Sequence, residues 1–488
     1  MRTKVFLFIA LLCALAQGAW AESVTFNVRS WDETNKQVVT TSTTKDATTL
    51  EGSHPDDWLG IGSGDDQDDH YYVVKGSVSY QTLNVFGKAH LILADGATLT
   101  CTGGIKVETK NNNAQLFIYS QSDGDSQGRL VVTNSYYYTA GIGSSEGCYC
   151  GPIAIHGGNL NVTGSKYGAG IGVGRGSLDE ATTITGGVTI YGGTVVANGG
   201  EGGAGIGGGA NRTNLLSSSN IYIYGGTVTA TGGKLAAGVG GGGGWDSIIS
   251  NKAMFGGAGY HVEVYGGTLT AQGGHRGAGV GSGSFTASLV ENVNIQHGGT
   301  LNVYGGTVNA TGGAYGAGIG GGCAARGAVV NISGGTVNAK GGTDAAGIGG
   351  GEFNPGGGTV NISGGIVRAE GTSYGAGIGG GECAPGDHEG GFGANVTITG
   401  GTVTAIVGND CKGREAMGGS AIGCGQGKGG KGNAKYAGSL SLSDNCKVTA
   451  GDAEDNIERV FTASERVDAC RWRNYVKIEA CAHAIPTV

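Results

Sequence analysis

The sequence predicts an all-β parallel solenoid, and three observations carry that prediction. Glycine makes up 106 of the 488 residues without a G-X-Y period, which excludes collagen. A GAGIG block recurs around Ile142, Ile171, Ile206, Val239, Val280, Ile319, Ile348, Ile378 and Ile422, at separations of 29 to 44 residues. Between the glycines, Val and Ile alternate at period two, as strands with one buried face require.

Each unit has three parts. Val330-Asn331-Ile332-Ser333-Gly334-Gly335 exemplifies a V-x-I-x-G-G strand, Thr336-Val337-Asn338-Ala339-Lys340-Gly341-Gly342 a T-V-x-A-x-G-G strand, and Ala346-Gly347-Ile348-Gly349-Gly350-Gly351 the GAGIGGG segment. Glycine pairs close the first two, because glycine turns a corner at positive φ where other residues clash. Three short strands make one coil of about 29 residues, the longer spacings being coils with insertions. Stacked coils align Val308, Val337, Val367 and Val403 into one inner ladder and Ala310, Ala339, Ala369 and Ala405 into another. One coil cannot bury its own apolar face, so stability requires neighbours. No stretch of period 3.6 lasts ten residues, and the aspartates of a calcium β-roll are missing from the repeats.

The ends differ from the body. Arg2 and Lys4, the apolar run Val5 to Ala16, and Ala19-Trp20-Ala21 read as a secretory leader over residues 1–21. Residues 22–70 read as an N-terminal segment or cap, 71–450 as the solenoid and 451–488 as a C-terminal cap. No later stretch reads as a transmembrane segment. Without Arg2 and Lys4 the formal charge moves from −8 to −10, which argues against nucleic acid and anionic membranes as partners. Ten cysteines follow the leader, five of them between Cys411 and Cys481; an even number in an exported chain predicts disulfides, with no pairing legible.

The combination His90 to Leu99 (HLILADGATL), Gly305 to Gly313 (GGTVNATGG) and Gly316 to Gly322 (GAGIGGG), with the tail Ala469 to His483, resembles bacterial exported surface proteins that carry glycine-rich pectin-lyase-like repeats. The resemblance covers residues 70 to 483. It implies a right-handed, single-stranded parallel β-helix and a secreted or cell-surface location in a bacterium. Activity does not follow from it, since the fold hosts lyases, hydrolases, adhesins and spikes.

The candidate chemistry is sparse. G-x-G-x-x-G strings such as Gly205 to Gly209 are by-products of the repeat, not nucleotide loops. His156-Gly157 and His297-Gly298 are fragments of a β-helix hydrolase pattern without its partners. The position before the first glycine pair is Tyr191, Tyr224, Tyr265 and Tyr304 in consecutive units, then Ser333, Ser363 and Thr399. Four stacked tyrosines form an aromatic strip, which serves either a sugar ring or cross-strand stacking. Insertions cluster after GAGIGGG and carry Trp245, Asp387 and His388 as further binding candidates. Asp65, Asp66, Asp68 and Asp69 are the densest acidic cluster: a loop, a Ca²⁺ site, or carboxylates for glycoside hydrolysis. No other cofactor is expected. The reading is a secreted or surface solenoid that contacts a polysaccharide or glycoprotein surface, more in keeping with a non-enzyme; the alternatives are a β-helix polysaccharide lyase or glycoside hydrolase, and a passive stalk.

Overall fold

The computed structural model describes residues 21–64, 68–109, 113–176, 187–210, 219–244, 260–284, 299–353, 356–372, 374–382, 391–407, 419–425, 438–462 and 464–480. Within them, 37 strands join one continuous hydrogen-bonded system, the parallel β-helix that the repeat predicts. The longest described helix, α1 (Arg466–Trp472), has seven residues; no described helix is long and apolar enough to cross a membrane.

The repeating coils have three walls, and each wall pairs in parallel with the same wall one coil away. In wall one, Val330–Ile332 lies between Leu301–Val303 and Val360–Ile362. In wall two, Thr336–Lys340 lies between Thr307–Thr311 and Ile366–Glu370. In wall three, Ile348–Gly349 lies between Ile319–Gly320 and Ile378–Gly379. The predicted Val and Ala ladders are buried throughout, and Ile319, Ile348, Ile378 and Ile422 form a third. Side chains meeting at strand spacing from three sides leave a narrow core, which is why alanine suffices at the inner position of wall two.

The N-terminal segment does more than close one end. Strands β1 (Ala21–Asp32) and β2 (Gln37–Leu50) form an antiparallel hairpin. The last residues of β2, Thr48–Leu50, pair in parallel with Tyr72–Val74 and supply the first rung of wall one. Strand β3 (Ser53–Gly62) then supplies the first rungs of walls two and three, opposite Ser79 and Leu83. The rest of the hairpin is an arm lying along the outside of wall one. At the far end, Tyr475–Glu479 runs antiparallel to Thr402–Ile406 and covers the last edge of wall two, where an open edge would invite pairing with other chains.

No disulfide joins the described residues: Cys101, Cys323, Cys446 and Cys470 are buried thiols. Cys101 shows why the expected pairing fails there. It occupies a core ladder position between Tyr80 and Val132, with no cysteine opposite. Cys383, Cys411 and Cys481 lie outside the described residues.

Candidate functional site

The tyrosine row forms, and it is longer than the repeat suggests. Tyr191, Tyr224, Tyr265 and Tyr304 stack at ring-centroid distances of 5.1, 4.7 and 4.7 Å. The stack continues back through His156, 5.0 Å from Tyr191, to Tyr119, 4.6 Å further on, and then to His90 and Tyr71. His156-Gly157 thus belongs to the column, not to a hydrolase motif. Its glycine pair, Gly157-Gly158, marks it as the equivalent of Tyr191.

This spacing decides what the column offers. Neighbouring coils lie about 4.8 Å apart, which is also a stacking distance for aromatic rings. Successive rings therefore cover each other's faces. The arm covers much of the rest: Phe26 packs on Tyr71 and Tyr119, and Trp31 lies 5.2 Å from Tyr224 and 5.3 Å from Tyr265. Between them the Arg29 guanidinium donates to the His156 carbonyl oxygen and to Asp123. Arg29 fits because the corner glycines leave room; a Cβ on Gly192 would stand 2.7 Å from Arg29 Cδ. His156 Nδ1 faces the Arg29 backbone, 2.7 Å from its carbonyl oxygen and 3.2 Å from its amide nitrogen. Burial pushes the His156 imidazole down to about 4, so it is neutral at physiological pH.

The aromatic row and the arm end almost together. Trp31 reaches Tyr265, Tyr304 follows one coil on, and the next positions are the exposed Ser333 and Ser363. Tyr304 is 46% exposed, while Tyr191, Tyr224 and Tyr265 are half-buried. Beside the column, Glu263 accepts hydrogen bonds from Tyr265 Oη (2.7 Å), His261 Nε2 (2.8 Å) and Asn302 Nδ2 (3.1 Å). Burial acts to raise the Glu263 carboxyl, but these bonds outweigh it and hold the group below the usual carboxylate range. An amide ladder continues from it: Asn331 donates to Asn302 at 2.8 Å and Asn361 to Asn331 at 2.9 Å.

The other sequence candidates divide. Trp245, Asp387, His388, Asp65 and Asp66 lie outside the described residues. Asp69 sits 3.2 Å from His90 Nε2. Among the described residues, Asp344, Glu352 and Glu382 form an acidic group able to hold a cation, with ligand oxygens all within 4.8 Å of one another. Three carboxylates suit Ca²⁺ or another hard cation. Glu352 and Glu382 follow identical Gly-Ile-Gly-Gly-Gly runs 30 residues apart, a signal legible in the sequence. They stack in one row with Cys323, whose thiol donates to Glu352 at 3.8 Å.

Burial first, then the Asp344 carboxylate, pushes both Glu352 and Glu382 up to about 7; burial also raises Asp344. Arg276 works against the shift at Glu352 without cancelling it. Groups bound to protons more tightly when folded give stability that is full below their ordinary range and lost as pH rises through about 7. Thermal unfolding should therefore show a lower Tm at pH 8 than at pH 5. The whole effect should be about 1–2 kcal/mol after allowance for solvent screening. Glu352→Gln and Glu382→Gln should each flatten the profile; a profile that keeps its slope in both would place the titration elsewhere.

Seven segments, residues 188–210, 221–243, 262–284, 301–323, 330–352, 360–382 and 396–426, match a family model described as a beta helix repeat. These seven segments are β-helix repeats, and they lie within the parallel β-helix that the strand pairing shows. Six of the seven matched repeats run from wall one to the row that holds Ala210, Gly243, Ser284, Cys323, Glu352 and Glu382. The arm and the coils before residue 188 lie outside the matched repeats. No curated protein and no solved structure matches the chain.

Proposed function

We propose that the chain is an exported, surface-located β-solenoid that binds a polysaccharide or glycoprotein glycan where the aromatic column ends, at Tyr304. The single observation that carries this reading is the step at that point. Tyr304 stacks on Tyr265 on one side, and its other face looks onto a ledge of exposed Ser333 and Ser363. A sugar ring packs its C–H face against an aromatic face. Here the ledge hydroxyls and the Asn331 and Asn361 amides, whose donors and acceptors are not all used within the ladder, would meet the sugar's own hydroxyls. The leader over residues 1–21 supports export.

Glycan-array binding of the full mature chain tests the reading. Selective binding that falls at least tenfold in Tyr304→Ala is the expected result. A wild-type chain that binds no glycan would discard it and favour a passive stalk.

A second reading, polysaccharide cleavage, is favoured by the carboxylate trio on adjacent coils. Glu352 and Glu382 stay protonated toward neutral pH, as a general acid must. Release of new chain ends from bound glycans, abolished in Glu352→Gln, is its test; absence of release from any bound glycan rejects it.

A further inference from the structure

Tyr136, Tyr137 and Tyr138 are three consecutive rings in the turn between wall two (Arg129–Val132) and wall three (Ile142–Gly143), and they are 43, 64 and 37% exposed. The fold does not demand aromatics there. Backbone bonds place Tyr138, Tyr167, Gly202, Leu235 and Arg276 in one row of turns, so a glycine or an arginine serves equally well.

The turn is nevertheless built with care. Asn134 fastens both sides of the triplet: its Oδ1 accepts from the Tyr136 N–H at 2.9 Å, and its Nδ2 donates to Thr139 Oγ1 at 2.5 Å and to the Ala140 carbonyl at 2.7 Å. The Arg175 guanidinium lies 3.7 Å from the centre of the Tyr138 ring, and Tyr167 stacks on Tyr138 at 5.6 Å. Arg175 is in turn held by Glu146, with Nε 2.9 Å from the carboxylate. Tyr137 touches Tyr138 at 6.1 Å and otherwise faces outward. A rigid base under exposed rings lowers the entropy cost of binding.

Charge narrows the ligand. Of the three cations described at the platform, Arg175 is neutralised by Glu146 and Lys166 is paired with Glu201 at 3.7 Å; Lys106 lies over the Tyr136 ring at 5.8 Å. A polyanion would find little uncompensated positive charge among these described residues, whereas a neutral sugar chain finds aromatic faces and phenol hydroxyls.

We infer that Tyr136, Tyr137 and Tyr138 form a second contact surface, for a neutral polysaccharide, on a different corner of the solenoid from Tyr304. Its ligand class rests on the reading given under Proposed function, but its position does not. Five coils separate the two sites, about 24 Å along the axis at strand spacing. A polymer can engage both sites and a short oligosaccharide one, so the polymer gains by effective concentration.

Pull-down of the full mature chain on insoluble cellulose, amylose, mannan and heparin beads, with soluble trisaccharides as competitors, tests the inference. The expected result is retention on at least one neutral polymer, reduced about tenfold by Tyr137→Ala and separately by Tyr304→Ala, with smaller losses for the trisaccharide. Tyr137→Ala touches no core residue, and unchanged circular dichroism would confirm its fold. Retention that depends on Tyr304 but not Tyr137 overturns the second surface and leaves the first reading standing. Retention on heparin alone overturns the neutral class, and retention on none of the four polymers overturns the second surface and counts against carbohydrate binding as a whole.

Discussion

Replacing Gly240 by alanine is expected to cost more than about 4 kcal/mol, at the exceptional end for a single substitution. Gly240 belongs to wall three, paired in register with Gly207 and Gly281. Its φ is +124°, and a Cβ would stand 2.2 Å from the Gly281 carbonyl oxygen and 3.1 Å from its carbonyl carbon. That oxygen cannot retreat freely, because it accepts the Gly241 N–H at 2.8 Å. Gly96→Ala is the control: its φ is +70° and nothing lies within 4 Å of an added Cβ, so only the left-handed backbone cost of about 1–2 kcal/mol applies. Urea unfolding followed by far-UV circular dichroism reads both. Because coils are coupled only to their neighbours, Gly240→Ala should also open the chain to proteolysis near that coil while distant coils resist. Equal costs for the two substitutions would show that backbone strain, and not the carbonyl contact, fixes glycine in wall three.

That glycine row is legible in the amino-acid pattern, and so are the walls. Val337 and Ala339 alternate with polar residues at strand period, and the glycine pairs bound each strand, so wall identity and register follow from pattern alone. The tyrosine column is legible for the same reason, since Tyr191 to Tyr304 hold one repeat position. Its buried faces follow from the coil spacing, once that spacing is compared with an aromatic stacking distance. The arm is not legible. Val24 and Phe26 alternate with polar residues in β1 as in a strand with one buried face, yet nothing local to Trp31 names Tyr265 as its neighbour. The carboxylate trio is half legible: Glu352 and Glu382 share a repeat position, while Asp344 comes from the turn on the other side of the corner. Tyr136 to Tyr138 lie where the repeat is degenerate, so no ladder position distinguishes them from an ordinary turn.

Phe26→Ala should release the arm from the column at a cost of about 3–5 kcal/mol, the range for deleting a fully buried aromatic ring. The Phe26 ring is 1% exposed and lies 4.8 Å from Tyr119 and 6.0 Å from Tyr71. Beyond it, Arg29 and Trp31 hold the arm by side-chain contacts and by bonds to His156, without a backbone ladder to the solenoid. Arg29→Ala should therefore free the distal half with a smaller loss, about 2 kcal/mol: its bond to the exposed Asp123 contributes little, and the buried bond to the His156 carbonyl contributes most of the rest. Hydrogen exchange reads the difference. In Phe26→Ala, protection should fall across residues 21–47 and trypsin should reach Arg29, Lys36 and Lys45. In Arg29→Ala, protection should fall only from about Arg29 to Thr41, because Val24 and Phe26 stay seated. Exchange in Val188–Ile190 and Ile221–Ile223, the strands beneath the column, should be unchanged in both, since their ladders close on neighbouring coils and not on the arm. An arm that keeps full protection in Phe26→Ala would show that the rung at Thr48–Leu50 alone fixes it. The aromatic column would then stack for its own cross-strand energy, with the arm a passenger on its surface.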